Sequence, residues 1–287
     1  MTQTGRQVQT ASRRGFLAAL VAFAAASGVG DLASLAASRL KLIGVQLYTV
    51  RDLLQRDFEG TLARLAAIGL REVEFAGYYG RSPQAVRAAL KTAGLAAPSA
   101  HVPIETARDN WPRALETAHV AGHKYLVVAW LPEKERRTLD GYRAAADLFN
   151  RVGEQAWAAG IRFAYHNHAF EFARLERRIP YDALLERCDP RYVAFEMDLY
   201  WITKGGQDPL AYFARWPGRF PMVHVKDSAG PPEHRMVDVG AGTIPWSAIF
   251  ARREQAGIQH YFVEHDEPAD PLASVRASYE YLRRLEF

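Results

Sequence analysis

The sequence predicts an α/β fold, a single-domain (β/α)8 barrel. Three observations carry that expectation: eight short apolar runs alternate with amphipathic segments from Lys41 onward, their starts lie 25 to 38 residues apart, and four of the later runs end in a histidine or a carboxylate. The spacing suits a strand, a loop, a helix and a return each time. Parallel strands closed into a barrel bring their C-terminal ends together, so those four residues would meet. A doubly wound open sheet is the other architecture with this rhythm, but the first run is not followed by G-x-G-x-x-G.

In chain order, strands are expected to begin near Leu42 (LIGVQL), Glu72 (EVEFAG), Ala97 (APSAH), Tyr125 (YLVVAW), Ile161 (IRFAYH), Tyr192 (YVAFEM), Pro221 (PMVHVK) and Gln259 (QHYFVE). The segments between them carry helical spacing, as in Leu62, Leu65, Ala66 and Gly69, or Leu115, Ala118, His119 and Gly122. Gly69, Gly94, Gly122, Gly160 and Gly257 each stand between a helix and the next strand and read as left-handed C-terminal caps. No Pro/Ser-rich linker interrupts residues 37–287, which are read as one domain.

Residues 1–36 are set apart. Ser12-Arg13-Arg14-Gly15-Phe16-Leu17 precedes an alanine-rich apolar run, the pattern of a twin-arginine signal peptide, with Ser34-Leu35-Ala36 as the cleavage region. The run is too short for a firm membrane span, which takes ~20 apolar residues. Export to the periplasm is therefore expected, with membrane attachment only if the leader is retained. Cys188 is the single cysteine, so no intramolecular disulfide can form in an oxidising compartment. Without the leader, which holds Arg6, Arg13, Arg14 and Asp31, the charge balance falls from +4 to +2. Nothing in that balance recommends nucleic acid as a partner.

Chemistry concentrates at the strand ends. In Tyr165-His166-Asn167-His168, alternation places His166 and His168 on one face. Downstream, Glu196-Met197-Asp198, His224-Val225-Lys226-Asp227 and Val263-Glu264 deliver further ligand-type residues. Paired imidazoles and carboxylates on neighbouring strands invite a divalent cation, because each would otherwise be a costly buried polar group. Glu196 competes with Asp198 for its place, and His168 with His166. Gln46, Tyr48, Arg51, Glu74, His101 and Trp130 follow the first four strands and are expected around the pocket. Glu171, Tyr200, Trp201 and Trp246 are expected there too, the last three as aromatic walls.

Taken together, Gly44-Val45-Gln46-Leu47-Tyr48, His166-Asn167-His168, Met197-Asp198-Leu199-Tyr200-Trp201, His224-Val225-Lys226-Asp227, Val239-Gly240-Ala241-Gly242 with Ile244-Pro245-Trp246, and Val263-Glu264 resemble the sugar phosphate isomerase/epimerase superfamily. That is the xylose isomerase-like TIM barrel group, and the resemblance runs from about Leu42 to Leu282. It implies one divalent metal, manganese first, with zinc, cobalt or magnesium as alternatives. It also implies ligands Asp198, His224 and Glu264, with His166 standing where many relatives have a glutamate.

The same resemblance implies proton exchange beside a substrate carbonyl, two glutamates flanking the carbon in epimerases. Here the opposing carboxylate is His166, which favours a single base, Glu264, and hence isomerisation or elimination. Lys226 would stabilise the oxyanion or protonate a leaving oxygen, or else pair with Glu196 or Asp227. Export and the lack of a phosphate-binding pattern point to a non-phosphorylated keto-sugar or glycoside as the small-molecule partner. Homo-oligomerisation is left open. The alternative class is a non-catalytic periplasmic sugar-binding protein with a structural metal. A three-zinc DNA-repair nuclease is disfavoured by Trp201, which stands where such enzymes carry a histidine.

Overall fold

The computed structural model describes residues 1–2 and 38–287. The leader expected over residues 1–36 lies outside the described residues, save the first two. Eight parallel strands close a barrel: β1 (Gly44–Gln46), β2 (Glu72–Phe75), β3 (Ala96–Val102), β4 (Tyr125–Val128), β5 (Arg162–His166), β6 (Val193–Asp198), β7 (Met222–Val225) and β8 (His260–Val263). Each pairs with its neighbour in sequence, and β1 closes on β8.

The return helices begin where the sequence provides for a start. Ser82, Thr138, Asp208 and Asp270 cap Pro83–Ala93, Leu139–Ala158, Pro209–Arg215 and Pro271–Leu282 with side-chain oxygens. Proline stands in the first turn of three of these and of Trp111–Ala121 and Pro180–Arg187, where its missing N–H has no helical partner to lose. Gly94, Gly122 and Gly257 end helices in the left-handed region, as expected, and Gly160, at φ 73° just past Ala159, closes its helix the same way; Gly69, at φ 121°, lies outside that basin.

Outward side chains such as Val45, Phe163, Phe195 and Val223 pack against the helices in one continuous core. Inside the barrel a second cluster, Tyr125, Val127, Ala164, Ala194, Met222 and Phe262, plugs the floor. Gly44 makes room for it: a Cβ there would stand 2.6 Å from the Phe262 ring. Register then sets the polar layer above this plug. His166 pairs with Glu196, Asp198 with His224, and Gln46 with Glu74, so these side chains share the C-terminal mouth. No helix among the described residues is long and apolar enough to cross a membrane.

Candidate active site

His224 sits at the centre of the mouth and uses both ring nitrogens. Its Nδ1 lies 2.6 Å from Glu264 Oε2, and its Nε2 lies 2.6 Å from Glu74 Oε2 and 3.2 Å from Glu196 Oε2. Glu74 is itself fixed by Gln46 Nε2 at 2.7 Å and by the Ser99 hydroxyl. His101 Nε2 stands 2.8 Å from Glu196 Oε2 and 3.1 Å from Glu74 Oε2. A carboxylate behind Nε2 turns Nδ1 of His224 toward Glu264 and, at 3.9 Å, toward Asp198 Oδ2, the arrangement that orients metal-binding histidines.

Lys226 emerges on the same face as His224. Its Nζ lies 2.8 Å from Glu264 Oε2, 3.0 Å from Asp266 Oδ1 and 3.1 Å from Asp198 Oδ2. These partners replace the Glu196 and Asp227 pairings considered from sequence. Asp227 points away and accepts from the backbone N–H groups of Ser228, Gly240, Gly242 and Ile244 and from the Trp246 indole.

Burial pushes the Glu264 carboxyl up, but Lys226 and His224 outweigh it and hold the group well below the usual carboxylate range. Burial carries Asp198 up to about 6 against the same two cations. It depresses His166 well below the ordinary histidine value, helped by His224, His168, His101 and Lys226, so that imidazole is neutral. Burial would depress His101 as well, yet Glu74 and Glu196 reverse the direction and lift it to about 9.

A cavity of about 420 Å³ opens over this cluster, lined by Tyr48, His101, Trp130, His166, His168, Lys226, Glu264 and Asp266 among others. Several residues expected around the substrate are placed elsewhere. Gln46 and Glu74 are fully buried beneath the cluster. Arg51 lies over the Tyr48 ring and donates to the Asp266 carbonyl at 2.8 Å, tying the loops after β1 and β8 together. Glu171 is buried and accepts from the Tyr165 hydroxyl and the His168 N–H, so it positions the loop after β5. Tyr200 is buried with its hydroxyl on the His234 carbonyl, and Trp246 is buried on Asp227 and Phe250. Trp201 packs beside His168 without lining the cavity. Asp266 and Glu267, in the loop after β8, line the cavity unforeseen.

The expected four metal ligands do not fall into one set. Asp198, His224 and Glu264 present ligand atoms within 4.8 Å of one another, whereas His166 groups with His101, Glu196 and His224. The reason is local: His166 turns Nδ1 toward its register partner Glu196 at 3.2 Å, leaving Nε2 3.8 Å from Asp198 Oδ2. A divalent cation suits the Asp198, His224 and Glu264 set on two counts. Asp198 Oδ2 is buried without a hydrogen bond among the described residues, its 3.1 Å approach to Lys226 being outside bonding geometry. Five carboxylates, Glu74, Glu196, Asp198, Glu264 and Asp266, also crowd the mouth against three cations among the described residues, Lys226, His101 and His224.

A closed parallel barrel with its ionisable residues gathered at the strands' C-terminal mouth defines the class of barrel proteins whose reactive site sits at that end. The chain belongs to the xylose isomerase-like TIM barrel family, with residues 36–285 matched. It is 24% identical over 190 residues to an inosose dehydratase of Lacticaseibacillus casei; the match covers 59% of this chain and 63% of that relative, just under two thirds. A crystal structure of a sugar phosphate isomerase/epimerase from Parabacteroides distasonis ATCC 8503 superposes with TM-score 0.76 at 28% identity, covering 86% of this chain and 99% of that one. An IolI protein crystallised with a bound zinc atom shares the fold at 12% identity and TM-score 0.66, covering 83% of this chain and 95% of that one.

Proposed function

We propose that this protein is a sugar-processing enzyme that removes a proton from the carbon next to a carbonyl of a non-phosphorylated keto-sugar or glycoside, leading to elimination or isomerisation. The observation that carries the reading is the Glu264 and Lys226 pair, 2.8 Å apart at the cavity wall. Glu264 is held ionised, as a base must be. Lys226 carries the proton that a departing or developing oxygen needs, and burial does not discharge it because Asp198, Glu264 and Asp266 keep its ammonium well above the usual range.

In elimination, the C–H proton passes to Glu264 and the electron pair forms a carbon–carbon double bond. The bond to the oxygen substituent on the adjacent carbon breaks, and that oxygen leaves with its pair and takes a proton from Lys226. His166, neutral at the cavity lining, stands where the resemblance expects a second glutamate, which argues for one base rather than an exchange across two faces. A divalent metal held by Asp198, His224 and Glu264, with His166 beside them, would supply Lewis acidity to the carbonyl. The dehydratase name of the Lacticaseibacillus casei relative and the zinc of the IolI structure support lyase-type chemistry and a metal.

Phosphate is disfavoured because the cavity wall sets Glu264, Asp266 and Glu267 against Lys226. The twin-arginine reading of residues 1–36 supports the same substrate class, an exported enzyme meeting free sugars and glycosides. Incubation of the metal-loaded protein with 3-keto-glycosides, followed by NMR, tests the proposal: an unsaturated keto-sugar and a released alcohol support it, and unchanged substrate across keto-sugars and glycosides contradicts it.

A further inference from the structure

A second chamber of about 320 Å³ adjoins the catalytic cavity, and the two share Ala76, His101, Ala129 and Trp130 as a common wall. Their chemistry divides at that wall. The catalytic side adds Lys226, Glu264, Asp266 and Glu267, whereas the second chamber adds Val102, Pro103, Ile104 and Pro132, with Glu105 as its charged group. Trp130 is 49% exposed at the junction. The Arg136 guanidinium lies 4.5 Å from its ring centroid, and its edge contacts to His168 and Phe170 both measure 5.0 Å, so the indole is held before any ligand arrives. A fixed aromatic surface left half in water, between a charged pocket and an apolar one, is suited to a ligand that is polar at one end and apolar at the other.

Resting on the function proposed above, we infer that the substrate is a glycoside with an apolar, ring-shaped leaving group, and that the chamber walled by Val102, Pro103, Ile104 and Pro132 receives that group. The sugar then lies over Glu264 and Lys226, and the scissile bond crosses the wall shared at His101 and Trp130. A second sugar suits the chamber less well, because its hydroxyls would meet side chains that offer few hydrogen bonds. No oxidant or further reactant enters: the proton lost from carbon goes to Glu264, and the departing aryl oxygen takes one from Lys226.

Calorimetry on the metal-loaded Lys226→Met protein, which keeps all three proposed metal ligands and turns over slowly, tests this apart from turnover, using 4-nitrophenyl, methyl and glucosyl 3-keto-glucosides. The expected result is that the aryl glycoside binds at least tenfold more tightly than the others. Pro103→Asp and Pro132→Asp, which place a charge at the chamber wall, should each remove most of that advantage and leave methyl glycoside binding within twofold. Aspartate precedes helix Ile104–Asp109 favourably at position 103, which keeps the fold. Equal binding of aryl and methyl glycosides, tighter binding of the glucosyl compound, or no binding of any would overturn the inference. Wild-type turnover of aryl and methyl glycosides with equal efficiency would keep the elimination reading and remove this one.

Discussion

Lys226 places its ammonium 2.8 Å from Glu264 Oε2 with both side chains buried. The same ammonium stands 3.1 Å from Asp198 Oδ2, between two carboxylates of the proposed metal set. Lysine and metal therefore compete for the same negative charge. Lys226→Met should tighten manganese or zinc binding by roughly tenfold while lowering turnover by about 10²-fold or more, since proton transfer by a positioned group contributes about that much. Calorimetric metal titration beside a rate assay separates the two effects; weaker metal binding would count against the competition.

The Glu74 carboxylate, 2.6 Å from His224 Nε2, fixes which nitrogen of His224 faces the metal set. Glu74→Gln should weaken metal affinity by about 10–100-fold, as loss of such supporting partners typically does. Competition against a chromogenic chelator measures it, and unchanged affinity would place the metal elsewhere.

Asp227 gathers five donors from one loop, including the Trp246 indole at 2.8 Å. A Cβ on Gly242 would stand 2.1 Å from Asp227 Oδ1, so the loop closes tightly on this carboxylate. Asp227→Ala strands several buried donors and should cost roughly 3 kcal/mol or more, a fall of roughly 6–12 °C in Tm for a domain of this size. Thermal unfolding checks it.

His101 titrates near 9 in the folded protein against an ordinary value of 6.5. A pKa raised by folding adds stability that is full below the unfolded value and is lost as pH climbs through the folded one. In the metal-free protein the stability gap between wild type and His101→Gln should narrow between pH 6.5 and 9, by on the order of 3 kcal/mol at most. Denaturant unfolding at a series of pH values measures the gap, and a constant gap would show that His101 is neutral in the folded chain.

The barrel was legible because its strands end where apolar runs meet ligand-type residues, and face alternation alone put Glu196 with Asp198 and His224 with Lys226. The roles of the outer residues were not. Trp246 reads equally as a pocket wall or a core residue, and its partner Asp227 lies 19 positions earlier, joined through a turn with no local pattern. Tyr200 binds a carbonyl 34 positions away for the same reason. Glu171 had a local sign, its three-residue spacing from the His168 N–H it accepts from, which marks a loop brace rather than a substrate contact. The orientation of His166 was hidden because it depends on the register between β5 and β6, which places Glu196 opposite its ring.

Deuterium exchange tests the central claim most directly. The metal-loaded protein and its Glu264→Gln variant would be incubated in heavy water with 3-keto-glycosides and simple keto-sugars, and the carbon next to the carbonyl followed by NMR. The account predicts deuterium at that carbon, or elimination from it, in the wild type, with a fall of about 10²-fold or more in the variant. Equal rates in both proteins would remove Glu264 as the base, and no exchange despite bound metal would contradict proton abstraction and favour a sugar-binding protein.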